Sequence, residues 1–120
     1  MKEVVESRYA VSPEEVKQMD TTMLRTNFLI EKLFGSDQLN LTMSHFDRFI
    51  AGGAMPVKKS IELSNPDNLK AEYFLERREM GIINVGGKGT IAVDETSFDL
   101  EHKEALYIGR GCQKVVFTSA

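Results

Sequence analysis

The residues whose types and spacing could do chemistry are concentrated in YFLERREMGIINVGGKG, positions 73 to 89. Four consecutive charges, from Glu76 to Glu79, precede a cluster of glycines. A phosphate-binding loop needs Gly-x-x-x-x-Gly-Lys-Ser/Thr at the start of a helix, because backbone amides and the lysine must surround the phosphates. Here Lys88 is followed by glycine and then by the strand-like TIAVD. The glycines are therefore predicted to form a tight turn.

The four charges allow two interpretations. On an extended strand, Arg77 and Glu79 would share one face, and Glu76 and Arg78 the other. Each face would then hold its own pair of opposite charges, which is the simpler interpretation. The alternative is that Arg77 or Arg78 faces a pocket and binds a carboxylate, since the planar guanidinium matches that group.

Two histidines and one cysteine complete the candidates. His45 and Asp47 alternate in SHFDR, so on a strand they would form a polar pair on one face. A structural hydrogen bond is the simpler reading, and acid–base chemistry is the alternative. His102 is predicted to be an exposed turn residue. Cys112 is predicted to be a small buried hydrophobic residue, and a lone cysteine excludes an internal disulfide.

The elements that must position these residues are mostly strands. SPEEVKQM predicts a short helix capped by Ser12, with Pro13 in its first position and Glu15 completing a capping box. TTMLRTN predicts a second short helix. Later segments alternate short apolar runs with turn residues, and the longest of them, KAEYFLERREMGIINV, is predicted to be a strand kinked or bulged at Gly81.

This pattern predicts a mainly β protein, an antiparallel sandwich or barrel preceded by one or two short helices. We assign residues 1–27 to an N-terminal helical segment and residues 28–120 to one β domain. The 120 residues have an apolar fraction of 42%, a charged fraction of 28% and a net charge of −3, which are typical of one soluble cytoplasmic domain. The charge argues against nucleic acid or a membrane as partner. Neither a signal peptide nor a membrane span is evident.

A family resemblance covers most of residues 20 to 118. LERRE, GIINVGGKGTIAVD and DLEHKEALYIGRG, with LRTNFLIEKLF and SHFDRFIAGGAMP, resemble the N-terminal half of the 5-keto-4-deoxyuronate isomerase (4-deoxy-L-threo-5-hexosulose-uronate ketol-isomerase) family of the cupin superfamily. The resemblance implies a cupin-type β-sandwich or jelly-roll barrel. It also implies a zinc-dependent cytoplasmic homohexamer of pectin and uronate degradation, with two cupin halves per chain. The implied reaction converts 5-dehydro-4-deoxy-D-glucuronate, a small sugar acid, to 3-deoxy-D-glycero-2,5-hexodiulosonate.

The metal-binding template of the cupins is largely absent from this chain. It would place histidines at Tyr73, Leu75 and Lys114, and a glutamate at Glu79 or Met80. No metal site is therefore predicted here, although zinc belongs to the family that the chain resembles. The metal and the catalytic groups are expected on a second half beyond residue 120, so the chain is expected to be truncated and inactive by itself.

Two functions follow from the resemblance. The first is the N-terminal half of the isomerase, with Arg77, Arg78 and His45 as candidate substrate-binding residues and no catalytic residue assigned. The alternative is a metal-free, non-catalytic cupin module that binds a sugar acid or assembles an oligomer. Under both, the expected partners are a small sugar acid and further copies of the chain.

Overall fold

The computed structural model describes residues 2–120 and, for Lys2, the backbone alone. Within this range the chain forms strands, two α-helices and one 3-10 turn. In order they are β1 (Lys2–Arg8), α1 (Pro13–Val16), α2 (Thr21–Phe28), β2 (Gln38–Ser44), β3 (Ile50–Ala54), β4 (Ile61–Glu62), the 3-10 turn (Asp67–Leu69), β5 (Met80–Ile83), β6 (Gly89–Val93), β7 (Thr96–Leu100), β8 (Ala105–Ile108) and β9 (Val115–Ser119).

The strands form three sheets. Their orders are β1-β2-β3, β4-β9-β6-β7 and β5-β8. Every pair is antiparallel except β1 and β2, which run parallel. The predicted mainly β, antiparallel sandwich is thus confirmed. Over residues 2–120 the three sheets stay separate and do not close into one ring.

The hydrophobic core joins all three sheets. Ile61, Leu75 and Val115 are the most completely buried large side chains, with exposures of 0 to 2%. On β2 the alternating Leu39, Leu41 and Met43 are buried, a pattern typical of a strand with one face in the core. The remaining members of the buried cluster come from the 73–79 segment, β6, β7 and β8, namely Phe74, Ile91, Leu100 and Ile108.

Both predicted helices are present, and α1 has its predicted cap. The Ser12 hydroxyl accepts the Glu15 N–H at 3.2 Å, and the Glu15 carboxylate accepts the Ser12 N–H at 3.1 Å. The Asp20 carboxylate accepts the Met23 N–H at 2.9 Å and begins α2. Neither helix contains a buried residue. Local capping therefore defines these helices more than core packing does.

The assignment of residues 1–27 to a helical segment is wrong for residues 2–8, which form β1; Met1 lies outside the described residues. β1 pairs with β2 from Lys2 opposite Gln38 to Arg8 opposite Ser44. The Arg8 guanidinium also donates to the Leu29 carbonyl. Because the partner strand is distant in sequence, local pattern did not reveal this pairing. The boundary near residue 28 stays a prediction.

The prediction of one long strand through residues 73–79 is also wrong. These residues form bends and turns, and β5 begins only at Met80. The reason is that Phe74 and Leu75, which are adjacent, are both buried in the same core, whereas neighbours on a strand point to opposite faces. Within β5, Gly81 pairs in regular register with Tyr107, so the strand has no bulge there.

No helix within residues 2–120 is long and apolar enough to cross a membrane.

The loop between β3 and β4 is fastened by the carboxylate of Asp37. One oxygen accepts the N–H groups of Val57, Lys58 and Lys59 at 2.8, 2.9 and 3.0 Å. Asp37 has a φ of 55°, a left-handed conformation that aspartate tolerates better than most residues. The amide hydrogen bonds, that from Val57 foremost, stabilise the charged form and lower the pKa of Asp37.

We expect Asp37→Asn to reduce thermal stability at neutral pH, because asparagine keeps an acceptor oxygen and tolerates this φ but lacks the charge. A carboxyl whose folded pKa lies below its ordinary value of 3.8 stabilises the fold above that pH. This contribution is lost as pH falls through the folded pKa. Circular dichroism from pH 7 downward gives the thermal unfolding midpoints of the unaltered protein and of Asp37→Asn. The difference between these two midpoints should therefore become smaller in acid.

The matched control is Asp67→Asn, because the exposed Asp67 carboxylate accepts no hydrogen bond from residues 2–120. If the difference in unfolding midpoint between Asp37→Asn and the unaltered protein does not change with pH, the charge of Asp37 does not stabilise the fold as described.

Candidate functional site

A cavity of about 880 Å³ lies between the sheets and is bounded by β2, β3, β5, β6 and β9. Its walls are largely apolar and include Leu39 and Leu41 of β2, Ile82 of β5 and Ile91 of β6. The volume falls within the range of roughly 300–1,000 Å³ that is typical of small-molecule sites. This cavity is the candidate functional site.

The charged side chains of the cavity are mainly basic, although the whole chain carries a net charge of −3. Two acidic residues, Asp47 and Glu79, line it. The basic lining residues are Arg48, Arg77, Arg78 and Lys88. The cavity thus differs in sign from the chain as a whole, which favours an anionic ligand.

Arg77 is largely occupied by the protein backbone. Its guanidinium donates to the carbonyls of Lys70 and Leu69 at 2.7 and 3.2 Å. Its Nε lies 4.0 Å from the Glu76 carboxylate. Lys70 has a φ of 51° and ends the 3-10 turn. Arg77 therefore holds this turn against the 73–79 segment.

Arg78 links two walls of the cavity. It is half-buried, and its Nη1 donates to the carbonyl of Arg48 at 3.0 Å. Asp47 and Arg48 both have a left-handed φ, 56° and 55°, and form the turn between β2 and β3. The bond from Arg78 connects this turn to the residues that precede β5.

Glu79 is bound by a residue of the neighbouring strand. The Tyr107 hydroxyl donates to its carboxylate at 2.6 Å across the β5–β8 pair. This hydrogen bond raises the pKa of the Tyr107 hydroxyl, because loss of the proton would leave two negative charges together. The predicted strand-face pairs of Arg77 with Glu79 and of Glu76 with Arg78 are therefore wrong, since residues 76–79 do not form a strand.

His45 lies outside the cavity. Its ring stacks on Tyr9 with centroids 4.6 Å apart, and its backbone N–H donates to the backbone carbonyl of Arg8 at 2.9 Å. It follows the end of β2, whereas Asp47 lies in the turn, so the predicted strand-face pair with Asp47 is wrong. His102 is exposed in a turn, as predicted, with its Nδ1 2.9 Å from the Gly86 carbonyl. Cys112 is half-buried and packs against the core.

The residues at the cupin metal positions do not fit a zinc centre. Tyr73 offers no imidazole, and Leu75 is 1% exposed within the apolar core. Glu79 is held by the hydrogen bond described above, and the Lys114 ammonium lies 3.4 Å from the Glu62 carboxylate. Across residues 2–120 there is also no group of three or more histidine, cysteine, aspartate or glutamate side chains placed to hold a metal ion.

Sequence reasoning did not single out Arg48 and Lys88 as cavity residues. Arg48 is an arginine in a predicted strand, and Lys88 a lysine in a predicted turn, so local pattern carries no signal for either. Their place depends on which strands become neighbours across the cavity.

Comparison with known proteins gives strong similarity to one group of enzymes. The chain is 56% identical over 114 residues to the 4-deoxy-L-threo-5-hexosulose-uronate ketol-isomerase of Formosa agariphila, covering 95% of this chain and 41% of that enzyme. It is 51% identical over 119 residues to the enzyme of the same name from Bacteroides fragilis, covering 99% and 42%. The corresponding enzyme of Lachnoclostridium phytofermentans is 50% identical over 115 residues, covering 96% and 42%. No protein-family model matches the chain.

These relatives confirm the family resemblance drawn from the sequence. The chain spans about two fifths of the length of the curated relatives it matches.

Proposed function

Since the chain is homologous over nearly its whole length to one part of the 4-deoxy-L-threo-5-hexosulose-uronate ketol-isomerases, we propose that it serves as the N-terminal half of such an enzyme. The reaction would convert 5-dehydro-4-deoxy-D-glucuronate to 3-deoxy-D-glycero-2,5-hexodiulosonate in pectin and uronate degradation. The observation that carries the proposal is identity of 46–56% across more than nine tenths of the chain.

The proposal divides the work between two halves. A ketol isomerisation needs a base that moves a proton between adjacent carbons and an electrophile that polarises the carbonyl. We assign the zinc and the proton-transfer groups to a second cupin half, because the metal positions of this chain hold packing and ion-pairing residues. No residue of this chain is given a catalytic role. It supplies a packed β-sandwich and a cavity of basic character.

Further parts of the proposal concern location and assembly. We propose a cytoplasmic enzyme that assembles as a homohexamer, with a small sugar acid and further copies of the chain as its partners, and with neither nucleic acid nor membrane among them. The negative net charge supports the last point.

A second candidate function is a non-catalytic module that binds a sugar acid or assembles an oligomer. The basic cavity and the replaced metal ligands favour it. Unlike the N-terminal half of an isomerase, such a module would need no second half in order to bind its ligand or assemble.

A chimera tests the proposed function. In it, this chain replaces the matching segment of the Formosa agariphila enzyme, of which it covers 41%. The chimera should bind zinc and isomerise 5-dehydro-4-deoxy-D-glucuronate, since the replaced segment supplies packing rather than catalytic groups. The purified 120-residue chain should retain no stoichiometric zinc after dialysis and show no turnover.

The unaltered Formosa agariphila enzyme is the positive control. Turnover by the 120-residue chain alone would overturn the division of labour. A chimera that is folded and zinc-loaded but inactive, together with uronate binding by the chain, would favour the non-catalytic module.

A further inference from the structure

We propose that Arg48 and Arg78, here called the arginine pair, bind the carboxylate of a sugar acid in the cavity. The substrate class rests on the proposed function, because a uronate carries one carboxylate. The position of the site rests on the geometry of this chain.

The side chain of Arg78 is held against the backbone of Arg48. The bond of 3.0 Å from Arg78 Nη1 to the Arg48 carbonyl ties the turn before β3 to the residues before β5. It uses one of the five N–H donors of a guanidinium, so most of the fork remains for a ligand. Arg78 is half-buried, and a charge-assisted hydrogen bond is stronger there than in bulk water.

Within residues 2–120, most of the other charged residues of the cavity already have partners, and Asp47 is the exception. Arg77 is bound to backbone carbonyls, and Glu79 accepts the hydroxyl of Tyr107. Arg78 precedes β5, whereas Lys88 lies beyond the other end of that strand. The Lys88 ammonium is also 3.7 Å from the Glu101 carboxylate. The arginine pair is thus the part of the basic lining best placed to receive an anion.

Arg48 is an exposed residue of the turn before β3. Among residues 2–120 its guanidinium has no hydrogen-bond partner and forms no ion pair. Asp47 is adjacent in sequence, but it too lines the cavity without an ion pair to the arginines in the described part of the chain. A carboxylate between the two arginines would supply the missing opposite charge, and the guanidinium fork suits its geometry.

The walls beside the arginine pair suit the rest of a sugar acid. Phe49 follows Arg48 directly and lines the cavity, as do Met80 and Ile82 of β5. A predominantly apolar pocket with a few convergent polar groups is the usual form of a small-molecule site. The carboxylate would set the orientation, and the apolar wall would contact the ring.

Nuclear magnetic resonance titration of the ¹⁵N-labelled 120-residue chain tests the inference. D-glucuronate should cause saturable amide shifts confined to residues 46–50 and 77–83. Glucose should cause none at the same concentration, because it lacks the charge. Acetate should shift the same amides more weakly, and inorganic phosphate tests whether any anion suffices.

Substitutions test whether the arginine pair is responsible for D-glucuronate binding. Arg78→Gln and Arg48→Gln should each weaken D-glucuronate binding by about tenfold or more, the usual consequence of losing a hydrogen bond to a charged group. Arg25→Gln is the matched control, because Arg25 pairs with Glu31 at 2.6 Å outside the cavity. Its affinity should equal that of the unaltered chain.

The results distinguish a loss of ligand binding from a change in the fold, and the arginine-pair site from the proposed function. Arg78→Gln removes a bond to the backbone, so its spectrum without ligand must be compared with that of Arg48→Gln, whose side chain has no such bond. Equal binding by glucose and D-glucuronate, equal binding by phosphate, or unchanged binding by Arg48→Gln would overturn the inference. An active chimera with no D-glucuronate shifts would overturn the arginine-pair site while leaving the proposed function intact.

Discussion

Replacing Leu75 with alanine should lower the free energy of unfolding by about 2–5 kcal/mol. Leu75 is 1% exposed and belongs to the buried cluster that joins the three sheets. Truncation would remove its apolar contacts and leave a cavity that the surrounding strands can fill only in part. Denaturant unfolding, with the midpoint and slope both recorded, measures the loss.

The control for this substitution is Leu24→Ala on α2. Leu24 is 37% exposed, and alanine is the better helix former, so the loss should stay within about 0.5 kcal/mol. Similar losses for the two variants would mean that Leu75 does not pack as described.

Gly53→Ala should have the second-largest effect, a loss of about 1–3 kcal/mol. Gly53 is buried in β3, and a β-carbon there would lie 2.3 Å from the Leu33 carbonyl oxygen and 2.9 Å from the Phe34 ring. The ring can turn aside, but the carbonyl belongs to the backbone. It is also held by the Asn40 side-chain amide at 3.1 Å, so β3 and the 33–34 segment would have to separate.

Gly81→Ala is a matched control on another strand. Apart from Gly81 itself and its two chain neighbours, no heavy atom of residues 2–120 lies within 4 Å of the position of its β-carbon, and the residue is in regular strand register. Alanine there should leave stability unchanged or raise it by about 0.5–1 kcal/mol, since glycine loses more conformational freedom on folding. The expectation for Gly53 fails if thermal unfolding gives the same midpoint for both variants.

Local signals in the sequence predicted much of the fold. Ser12 and Glu15 cap α1 as expected, because a capping box depends on residues three positions apart. The alternation of Leu39, Leu41 and Met43 is likewise a local pattern, and it marks the buried face of β2. Such features depend on near neighbours, which the sequence displays directly.

The features that sequence reasoning missed depend on distant partners. The stretch around Phe74 and Leu75 has strand-like composition but folds as a turn, because burial of both adjacent side chains in one core overrides propensity. Arg78 was identified as a candidate from its chemistry. Its partner Arg48 was not, because their contact joins residues on different walls of the cavity.

The parallel pairing of β1 with β2 has a consequence for the order of folding. Residues 2–8 meet residues 38–44 only after the whole intervening segment, which includes both helices, has been looped back. Ordering so long a loop is entropically costly, and the helices that it contains have no fully buried residue to offset that cost. The antiparallel strands β6 and β7 join through the turn at Asp94 and Glu95 and can form early. We expect β1 to pair last during folding and to open first in the native state. Among the strands, backbone amide hydrogen exchange should therefore be fastest in β1.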